Sequence, residues 1–550
     1  MHLQVTSALL LRPVRKITKG RKPNSGKYMK RIQIYPLLLV TAIILDRIVN
    51  SMTQINPKES VRSLFILLFL CIMVSFIIQR SVKDWHRTNF VVFIMVVLFV
   101  FYRSFYVLIE RTFPQQADYL GLALIIVLMW IATVLTSRKV WLSIHKPATI
   151  TNYFSLVCVF LLLFQVLQLG EKLYFRDDSK TYSTAILPLT EQIHLKSDTR
   201  PDIYIIILDG YGRQDVLKTI YDYDNSGFIS ELEKRGFYVP TQNHSNYVQT
   251  AYAMASLWNF EYVQPWMPSS DYRQYLIQPI QRNRAFQLLD DIGYTTVSFE
   301  GTLGYTQIDQ ADVLVSEFLP INKFEALLLM DSPLEPISNI LDLNIPLPTH
   351  RTRQRTILYK LDELKNVPAS IPGPKIVYDH ILLPHPPFEF DRDGNILPQK
   401  QPYNMWDDSE TAGGEYEYQK GYREQVIFAN RKILESIDAI LAKSETRPII
   451  LLMGDHGPAS MFHFDIDSPG CLWERTSNLY ALLLPGHQQD GTVYETITPV
   501  NTFRVIFNTY FGTDLPLLED RTYLASAAYR DTIKDITDSR DSLASCTVSD

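Results

Sequence analysis

The stretch "DIYIIILDGYG", Asp202 to Gly212, contains an uninterrupted apolar and aromatic run, Ile203–Leu208, that ends in Asp209-Gly210. A short run of β-forming residues that stops at a turn predicts a strand buried on both faces. Helical periodicity follows in "FISELEKRG", which Gly236 closes. A buried strand followed by a helix is typical of an α/β domain with a largely parallel sheet.

Four later stretches have the same character as this first strand. They are "TTVSF" near Val297, "KIVYDHILL" near Val377, "RPIILLMGD" near Leu451 and "LYALLLPG" near Leu482. The segment Glu424–Lys443 has the apolar spacing of an amphipathic helix. Together these patterns predict a domain over residues 201–525, with a central, largely parallel sheet flanked by helices.

Acidic residues follow two of these strands where each strand ends. Asp209 comes directly after the first run, and "ILLMGDHG" places Asp455 and His456 directly after another. Ligands of such sheets bind at the carboxyl ends of the strands. Two carboxylates and an imidazole suit a divalent cation such as Zn²⁺ or Mn²⁺. The alternative for the Asp455-His456 pair is a capped turn between glycines.

A hydroxyl that could act as a nucleophile occurs in "SNYVQTAYAMASLWN". Thr250 precedes a run rich in Ala, Met and Leu that can begin a helix. A hydroxyl there could attack an ester while helix N–H groups hold the anion, and a bound metal would lower its pKa. The alternative is that Thr250, with Ser245 and Ser256 nearby, only caps the helix.

Composition separates the first third of the chain from the rest. Of the 550 residues, 47% are apolar, and nearly all the long apolar runs precede Gly170. The net charge of -5 argues against nucleic acid as a main partner. Cys71 and Cys158 lie in the apolar runs, and Cys471 and Cys546 lie outside them without forming a metal-binding or CxxC pattern.

Five apolar segments in residues 32–170 predict about five membrane-spanning helices, since a helix needs about 20 apolar residues to cross a bilayer. They are Ile34–Val49, Leu64–Ile78, Phe90–Ile109, Tyr119–Leu135 and Tyr153–Leu169. Asp46 and Arg47 weaken the first segment, and Arg103 weakens the third. Such charges either reach the interface or make polar contacts between helices. We interpret the helices as an anchor, with guidance of a lipid substrate as the alternative.

The distribution of positive charge predicts the orientation in the membrane. The basic residues of the N-terminal tail (1–31) are Arg12, Arg15, Lys16, Lys19, Arg21, Lys22, Lys27, Lys30 and Arg31. Those of the second and fourth connections are Arg80, Lys83, Arg87, Arg138, Lys139 and Lys146. The tail is therefore predicted to be cytoplasmic. A linker (171–200), the catalytic domain and a polar C-terminal tail (526–550) are predicted outside the cell membrane, and no cleavable signal peptide is expected.

The order of the candidate residues, Asp209, Thr250, His385 and Asp455-His456, resembles the alkaline phosphatase superfamily. More narrowly, it resembles the sulfatase-like branch with lipoteichoic acid synthases and lipid A phosphoethanolamine transferases. The resemblance covers about Pro201 to Leu524. It rests on "IYIIILDGYGRQDVL", "SNYVQTAYAMASL", "LLPHPPFEFDRDG", "GDHG", "NLYALLLPG" and "VNTFRVIFNTYFG".

This resemblance implies roles for individual residues. Asp209, Thr250, Asp455 and His456 would bind one divalent metal ion, and Thr250 would also be the nucleophile, forming a phospho- or sulfo-threonine. His385 would bind the substrate phosphate and protonate the leaving group. His380 is either a direct participant or a hydrogen-bonded strand residue. Possible substrate contacts, for each of which a structural role fits equally well, are Arg213, Asn246, Tyr422, Asn430 and Arg475.

The chain also departs from these families. Asp209 stands where the transferases usually have Glu, although other members of the superfamily use Asp there. The Cys-x-Pro-x-Arg sequence of formylglycine sulfatases is absent from the sequence, as is an Asp-xxx-His set for a second metal.

Three functions therefore remain open. The first is a transferase that moves a phospho-head group from a membrane lipid to an extracytoplasmic acceptor such as an envelope glycan. The second is a phosphate or sulfate ester hydrolase with the same chemistry. The third is a non-catalytic envelope-binding protein, since fold alone does not confer activity.

Overall fold

The structure is a computed structural model, and it describes most of the chain. The described residues are 34–51, 57–113, 116–135, 147–175, 200–266, 272–301, 305–317, 322–330, 332–341, 349–399, 403–464, 469–487, 490–525, 533–542 and 546. The basic tail, the basic residues of 136–146 and most of the predicted linker lie outside these ranges.

Five helices in the N-terminal part coincide with the five apolar segments. They are α1 (Tyr35–Ser51), α2 (Ser60–Val82), α3 (Trp85–Thr112), α4 (Ala117–Leu135) and α5 (Pro147–Phe175). Among the described residues, α2 to α5 are long and apolar enough to cross a membrane. Helix α1 has 17 residues and is shorter than these four. The count is therefore four, one fewer than the sequence predicted.

The charged residue of α1 makes a contact between helices. Asp46 Oδ1 accepts hydrogen bonds from Gln165 Nε2 on α5 (3.1 Å) and from Asn50 Nδ2 (3.2 Å). In α3, the Arg103 guanidinium lies 5.6 Å from the ring centre of Tyr106. Of the two roles that the sequence left open for Asp46, the polar contact between helices is the one observed.

A six-stranded sheet forms the centre of the second part of the chain. Its strands are β1 (Ile203–Leu208), β2 (Thr295–Phe299), β3 (Val313–Val315), β4 (Lys375–Ile381), β5 (Ile449–Met453) and β6 (Tyr480–Leu483). The order is β3-β2-β4-β1-β5-β6, and only β6 pairs antiparallel to its neighbour. The largely parallel sheet predicted from the sequence is confirmed. The short strand β3 was not predicted.

Successive residues of β1 explain why this strand is apolar throughout. Ile203, Ile205 and Ile207 pack into one hydrophobic core, whereas Tyr204 and Ile206 pack into the core on the opposite face. Helices therefore cover both faces of the sheet. Those of the first core are α8 (Thr250–Asn259), α9 (Tyr272–Gln281), α10 (Arg284–Asp291) and α18 (Thr502–Tyr510). Those of the second are α6 (Gln214–Thr219), α7 (Ser226–Lys234), α13 (His350–Glu363), α14 (Val367–Ser370) and α16 (Glu415–Lys443).

The described residues form six further helices and strands. They are α11 (Lys323–Met330), α12 (Leu334–Leu341), α15 (Ser409–Ala412), α17 (Leu472–Thr476) and the hairpin β7 (Tyr523–Ala525) and β8 (Ile533–Asp535). The described residues also form three single-turn 3₁₀ helices, Pro57–Glu59, Gln264–Trp266 and Pro499–Asn501.

Helices α11 and α12 contact the membrane helices. Helix α12 packs against α4, and α11 packs against α2. Arg62 Nε, in the first turn of α2, donates to Glu325 Oε1 of α11 at 2.7 Å. Asn322 Nδ2 also donates to the Glu59 carbonyl at 3.0 Å. The start of α2 and helix α4 therefore lie beside the sheet-containing domain.

A disulfide joins Cys471 to Cys546, a pairing that the sequence did not predict. It connects Cys546 of the C-terminal segment to the residue that precedes α17. Cys71 and Cys158 are free and buried in the N-terminal helices, where the sequence placed them.

Candidate active site

The ends of β1 and β5 bring three candidate ligands together. The two strands are parallel neighbours, with Ile207 opposite Met453. An acidic residue follows each member of this pair by two positions, Asp209 after Ile207 and Asp455 after Met453. Because parallel neighbours end at the same edge of a sheet, the two carboxylates meet there.

The glycines around Asp455 and His456 allow close packing of the backbone. A Cβ atom on Gly454 would collide with the carbonyl oxygen of Tyr211, and one on Gly457 would collide with that of Glu474. Any side chain at either position would therefore push the turn away from its neighbours. These contacts explain why the apolar run of β5 ends in a Gly-Asp-His-Gly turn.

Asp209, Asp455 and His456 are all buried, and their nearest ligand atoms lie within 4.8 Å of one another. Asp209 Oδ1 and Asp455 Oδ2 have no hydrogen-bond donor within the described residues. The second oxygen of each carboxylate has a partner. Asp209 Oδ2 lies 3.0 Å from His380 Nε2, and Asp455 Oδ1 accepts from the Gly210 N–H at 3.0 Å.

The tautomer of His456 follows from its partners. Its Nδ1 lies 2.9 Å from the Gly457 carbonyl oxygen, which can only accept, so Nδ1 carries the hydrogen. Nε2 therefore keeps its lone pair and faces Asp455 Oδ2 at 3.2 Å. Burial and the nearby charge of Arg475 lower the pKa of His456, which favours the neutral imidazole that can ligate a metal.

Thr250 completes the group at the first residue of α8. Its Oγ1 lies 3.2 Å from His456 Nε2. The N-cap of the helix is Gln249, whose side chain makes no capping hydrogen bond. The Thr250 hydroxyl is therefore directed at the cluster, and the capping role that the sequence left open is not what this geometry favours.

His380 forms a hydrogen bond with the Asp209 carboxylate. The Tyr378 hydroxyl lies 3.1 Å from His380 Nδ1, and Nε2 faces the Asp209 carboxylate. The carboxylate can only accept, so Nε2 is the donor of this hydrogen bond. Burial raises the pKa of Asp209, but His385 and His380 outweigh that effect and hold it well below its ordinary value.

His385 contacts Asp209 through the backbone. Its backbone N–H donates to the Asp209 carbonyl at 3.1 Å, and its Nδ1 contacts the Pro386 carbonyl oxygen. The side chain is buried, and its proximity lowers the pKa of both Asp209 and Asp407. The structure thus places His385 at the edge of the cluster, beside and not among the candidate ligands.

Two further buried residues lie beside the cluster. The Arg475 guanidinium forms an ion pair with the Asp407 carboxylate, and its Nη2 lies 3.2 Å from His456 Nε2. Burial raises the pKa of Asp407, but Arg475 outweighs it and lowers that pKa. Sequence reasoning named Arg475 only as a possible substrate contact. It missed Asp407, because the loop that carries this residue has no motif or periodicity.

The other four candidate substrate contacts make hydrogen bonds within the fold. Each supports a backbone turn or another side chain within 3.0 Å, as with the Tyr422 hydroxyl between Gly210 and Gly212. The others are Arg213 to Asp215, Asn246 to Arg521 and Val500, and Asn430 to Tyr211 and Asn225. The structure does not bring them into the cluster.

The donor set fits a divalent cation. Two carboxylate oxygens without donors, one imidazole lone pair and one hydroxyl oxygen point into a shared buried space. An unsatisfied buried carboxylate is costly, and a bound cation would offset that cost. Carboxylate, imidazole and hydroxyl ligands without a thiolate suit Zn²⁺ or Mn²⁺.

Comparison with known proteins gives structural neighbours only. No family model matches the chain. No curated protein matches it either.

Among solved structures, the chain is similar to the C-terminal periplasmic domain of EcEptC from Escherichia coli in complex with Zn. The identity is 13% and the TM-score 0.39, over 64% of this chain and 98% of that one. It is also similar to lipooligosaccharide phosphoethanolamine transferase A, an integral membrane protein from Neisseria meningitidis. Here the identity is 10% and the TM-score 0.35, over 86% of this chain and 92% of that one.

A third similar structure is the phosphonate monoester hydrolase of Agrobacterium radiobacter, with 13% identity and a TM-score of 0.38. The match covers 59% of this chain and 80% of that one. These neighbours belong to the superfamily that the motifs resemble. Identities and TM-scores this low establish nothing about the activity of this chain, so the proposals below rest on its own side chains.

Proposed function

We propose that this chain is a membrane-anchored, metal-dependent enzyme that acts on phosphate esters, or sulfate esters, through Thr250. The observation that supports this proposal best is the position of the Thr250 hydroxyl. It lies 3.2 Å from His456 Nε2, beside two carboxylate oxygens for which the described part of the chain offers no donor. A threonine with a purely structural role does not require a potential metal site beside its hydroxyl. A threonine that acts as a nucleophile requires one, because its hydroxyl must lose its proton.

Asp209, Asp455, His456 and Thr250 would hold one divalent ion, Zn²⁺ or Mn²⁺. When bound, the ion lowers the pKa of the Thr250 hydroxyl and attracts the negative charge of the ester. Asp209 and Asp455 supply the charge that retains it, and His380 fixes the orientation of Asp209. The neutral tautomer of His456 presents Nε2 to the same point.

The reaction would proceed in two displacements at phosphorus or sulfur. Thr250 Oγ1 gives up its proton to solvent and bonds to the phosphorus while the bond to the ester oxygen breaks. His385 would give a proton to the departing oxygen. The hydroxyl oxygen of an acceptor, or of water, would then bond to the phosphorus and give its proton to His385, while the bond from phosphorus to Oγ1 breaks and releases Thr250. The start of α8 would stabilise the negative charge on the outer oxygens.

A lipid donor and an extracytoplasmic acceptor, such as an envelope glycan, fit the position of the domain. Helices α11 and α12 contact α2 and α4, so the catalytic domain would lie against the membrane surface. A phospholipid could therefore reach the site without leaving the bilayer interface. This favours transfer of a phospho-head group over hydrolysis of a soluble ester.

The domain would lie outside the cell membrane, with the N-terminus in the cytoplasm. This topology requires an odd number of crossings, so the 17-residue helix α1 would also cross, at the short end of the range for a membrane span. The basic residues of the tail and of two connections indicate this orientation. The Cys471–Cys546 disulfide supports it independently, because disulfides persist in oxidising compartments. A reporter fused after Arg176 is expected to register outside, and one fused near Lys83 inside. A cytoplasmic signal from the Arg176 fusion would overturn this topology.

Trapping the covalent intermediate tests the enzymatic proposal. The full chain, loaded with Zn²⁺ or Mn²⁺, is mixed with vesicles of phosphatidylethanolamine and phosphatidylglycerol, quenched in acid and digested for mass spectrometry. We expect release of diacylglycerol and a head-group phosphate on the Thr250 peptide. The adduct should be absent from Thr250→Ala and present in the control Thr241→Ala, an exposed threonine.

The fate of the adduct distinguishes the two enzymatic alternatives. A transferase passes the head group to an added alcohol or sugar faster than to water. A hydrolase releases it at the same rate with or without that acceptor. Absence of any adduct under both metals, with intact lipid, would contradict transfer of a head group from these lipids.

A further inference from the structure

Arg475 is a buried cation whose position the reaction described above does not explain. It lies in the short helix α17, and its side chain is 2% exposed. The guanidinium lies 5.4 Å from the ring centre of Phe462 and 5.3 Å from that of Phe464. Burying a guanidinium costs free energy unless acceptors compensate its charge. The acceptors of Arg475 therefore indicate its role.

Most of its donors go to fixed acceptors. Nε donates to the Val248 carbonyl at 2.9 Å, and Nη1 donates to the Gly457 carbonyl at 3.0 Å and to the Asp407 carboxylate. Val248 precedes Thr250 by two residues, and Gly457 follows His456 directly. These bonds leave no freedom for the side chain, and they orient its remaining nitrogen, Nη2.

Nη2 faces the candidate metal cluster. It lies 3.2 Å from His456 Nε2, which lies 3.2 Å from Thr250 Oγ1. An imidazole nitrogen has one lone pair. If His456 Nε2 ligates a metal ion, it can no longer accept from Arg475, and the Nη2 hydrogens need another acceptor close to the Thr250 hydroxyl.

We propose that Arg475 Nη2 binds a non-bridging oxygen of the phosphoryl group that Thr250 attacks, and that Asp407 is the positioning residue that holds the guanidinium in place. This inference rests on the proposed function, because it takes the ester to lie beside Thr250. Arg475 would then be a catalytic residue by direct contact with the substrate. Three acceptors fix the plane of its guanidinium, so Nη2 is pre-organised to bind an anion.

The alternative is that Arg475 is purely structural and connects the loops of Val248, Gly457 and Asp407. Arg475→Lys separates the two roles, because it keeps the charge but loses the fork that reaches several acceptors at once. Arg504→Lys is the matched control. Arg504 is also buried and bonds two carbonyls, of Phe260 and Pro516, but not the cluster.

The experiment measures inorganic phosphate binding to the full-length, metal-loaded chain by calorimetry, together with metal content and unfolding temperature. We expect Arg475→Lys to weaken phosphate binding by about 10- to 100-fold, as for loss of a hydrogen bond to a charged group. Its metal content should equal that of the original protein. Arg504→Lys should bind phosphate as the original protein does.

Should Arg475→Lys fail to fold, Asp407→Asn provides the second variant. It retains Arg475 but removes the carboxylate that orients it, so phosphate affinity should again fall while the metal stays bound. Unchanged phosphate affinity in a folded, metal-loaded variant of either kind would overturn the inference.

The same measurements distinguish this inference from the proposed function. If the original protein forms the Thr250 adduct but Arg475→Lys binds phosphate normally, the inference fails and the enzymatic proposal stands. If no ester is ever turned over but phosphate binding depends on Arg475, the anion subsite stands and the enzymatic proposal fails.

Discussion

Buried carboxylates near the carboxyl edge of the sheet are of two kinds, which differ in how many hydrogen-bond donors their oxygens have. Glu474 is surrounded by donors, with Oε1 accepting from the Tyr221 hydroxyl (2.6 Å) and the Ser460 N–H (3.0 Å), and Oε2 from the Met461 N–H (2.9 Å). Asp209 and Asp455 each have one oxygen without a donor among the described residues.

The difference indicates what each group is for. A buried carboxylate with a full set of donors holds loops together, and here Glu474 connects the turn after β5 to α17 and Tyr221. A buried carboxylate with spare lone pairs costs free energy unless a ligand satisfies them. Strain of this kind is tolerated at sites of function, where the ligand offsets it.

The largest effect is expected at Thr250, whose hydroxyl faces the spare lone pairs. Thr250→Ala removes the nucleophile, and loss of a nucleophile commonly lowers turnover by about 1,000-fold or more. Folding and metal content should remain nearly normal. Thr250→Ser keeps a hydroxyl and should retain partial activity. Turnover of a phosphate diester such as bis-p-nitrophenyl phosphate provides the measurement.

His385→Ala serves as the graded comparison for Thr250→Ala. Its imidazole would bind and protonate but not attack, so activity should fall less completely. If Thr250→Ala turned over the diester as fast as the original protein, the spare lone pairs would not serve a nucleophile.

The next largest effect is expected for the metal ligands. The double variant Asp455→Ala, His456→Ala removes two ligands and should bind Zn²⁺ more than about 100-fold more weakly, since loss of even one supporting residue can cost 10- to 100-fold. Asp209→Ala should act in the same direction. The control is His463→Ala, an exposed histidine on the following loop. Full metal occupancy in the double variant would show that the cluster is not a metal site.

The sequence predicted the sheet and the members of the cluster because both depend on local patterns. Continuous apolar runs indicated β1, β4 and β5, and the residues at the ends of β1 and β5 indicated Asp209, Asp455 and His456.

The sequence could not predict Asp407, or the Cys471–Cys546 pairing, because these depend on loops brought together from distant parts of the chain. The role of His380 likewise depends on Tyr378 and Asp209, one on its own strand and one across the sheet.

A smaller effect is expected for the ion pair that adjoins the cluster. Asp407→Asn leaves the Arg475 charge buried without its anion, and breaking a buried pair in this way costs about 3–5 kcal/mol. The pKa of Asp407 is lower in the folded protein than its ordinary value. Its contribution is therefore present above the unfolded pKa of about 4 and is lost as the pH falls through the folded value.

Thermal unfolding of the metal-free protein at pH 7 and pH 3 measures this contribution. The original protein should exceed Asp407→Asn most at pH 7, and the gap should narrow at pH 3. Asp438→Asn, at an exposed pair with Arg235, should have a small effect at both values. A gap that widened in acid would contradict the assigned direction of the pKa.

The smallest effect is expected at Glu474, and it tests the comparison directly. Glu474→Gln keeps the shape but turns an amide NH₂ toward donors, so we expect a loss of about 1–3 kcal/mol in the free energy of unfolding with no loss of metal. Asp455→Asn should do the opposite, releasing metal while leaving the metal-free protein as stable as before, because it removes an unsatisfied charge. Glu445→Gln, at an exposed position, is the control for the amide itself. Denaturant unfolding measures the stability of the three variants, and metal analysis measures how much metal each retains. If Glu474→Gln released the metal, or if Asp455→Asn destabilised the metal-free protein as much as Glu474→Gln, then the donors around a carboxylate would not distinguish a structural carboxylate from a ligand.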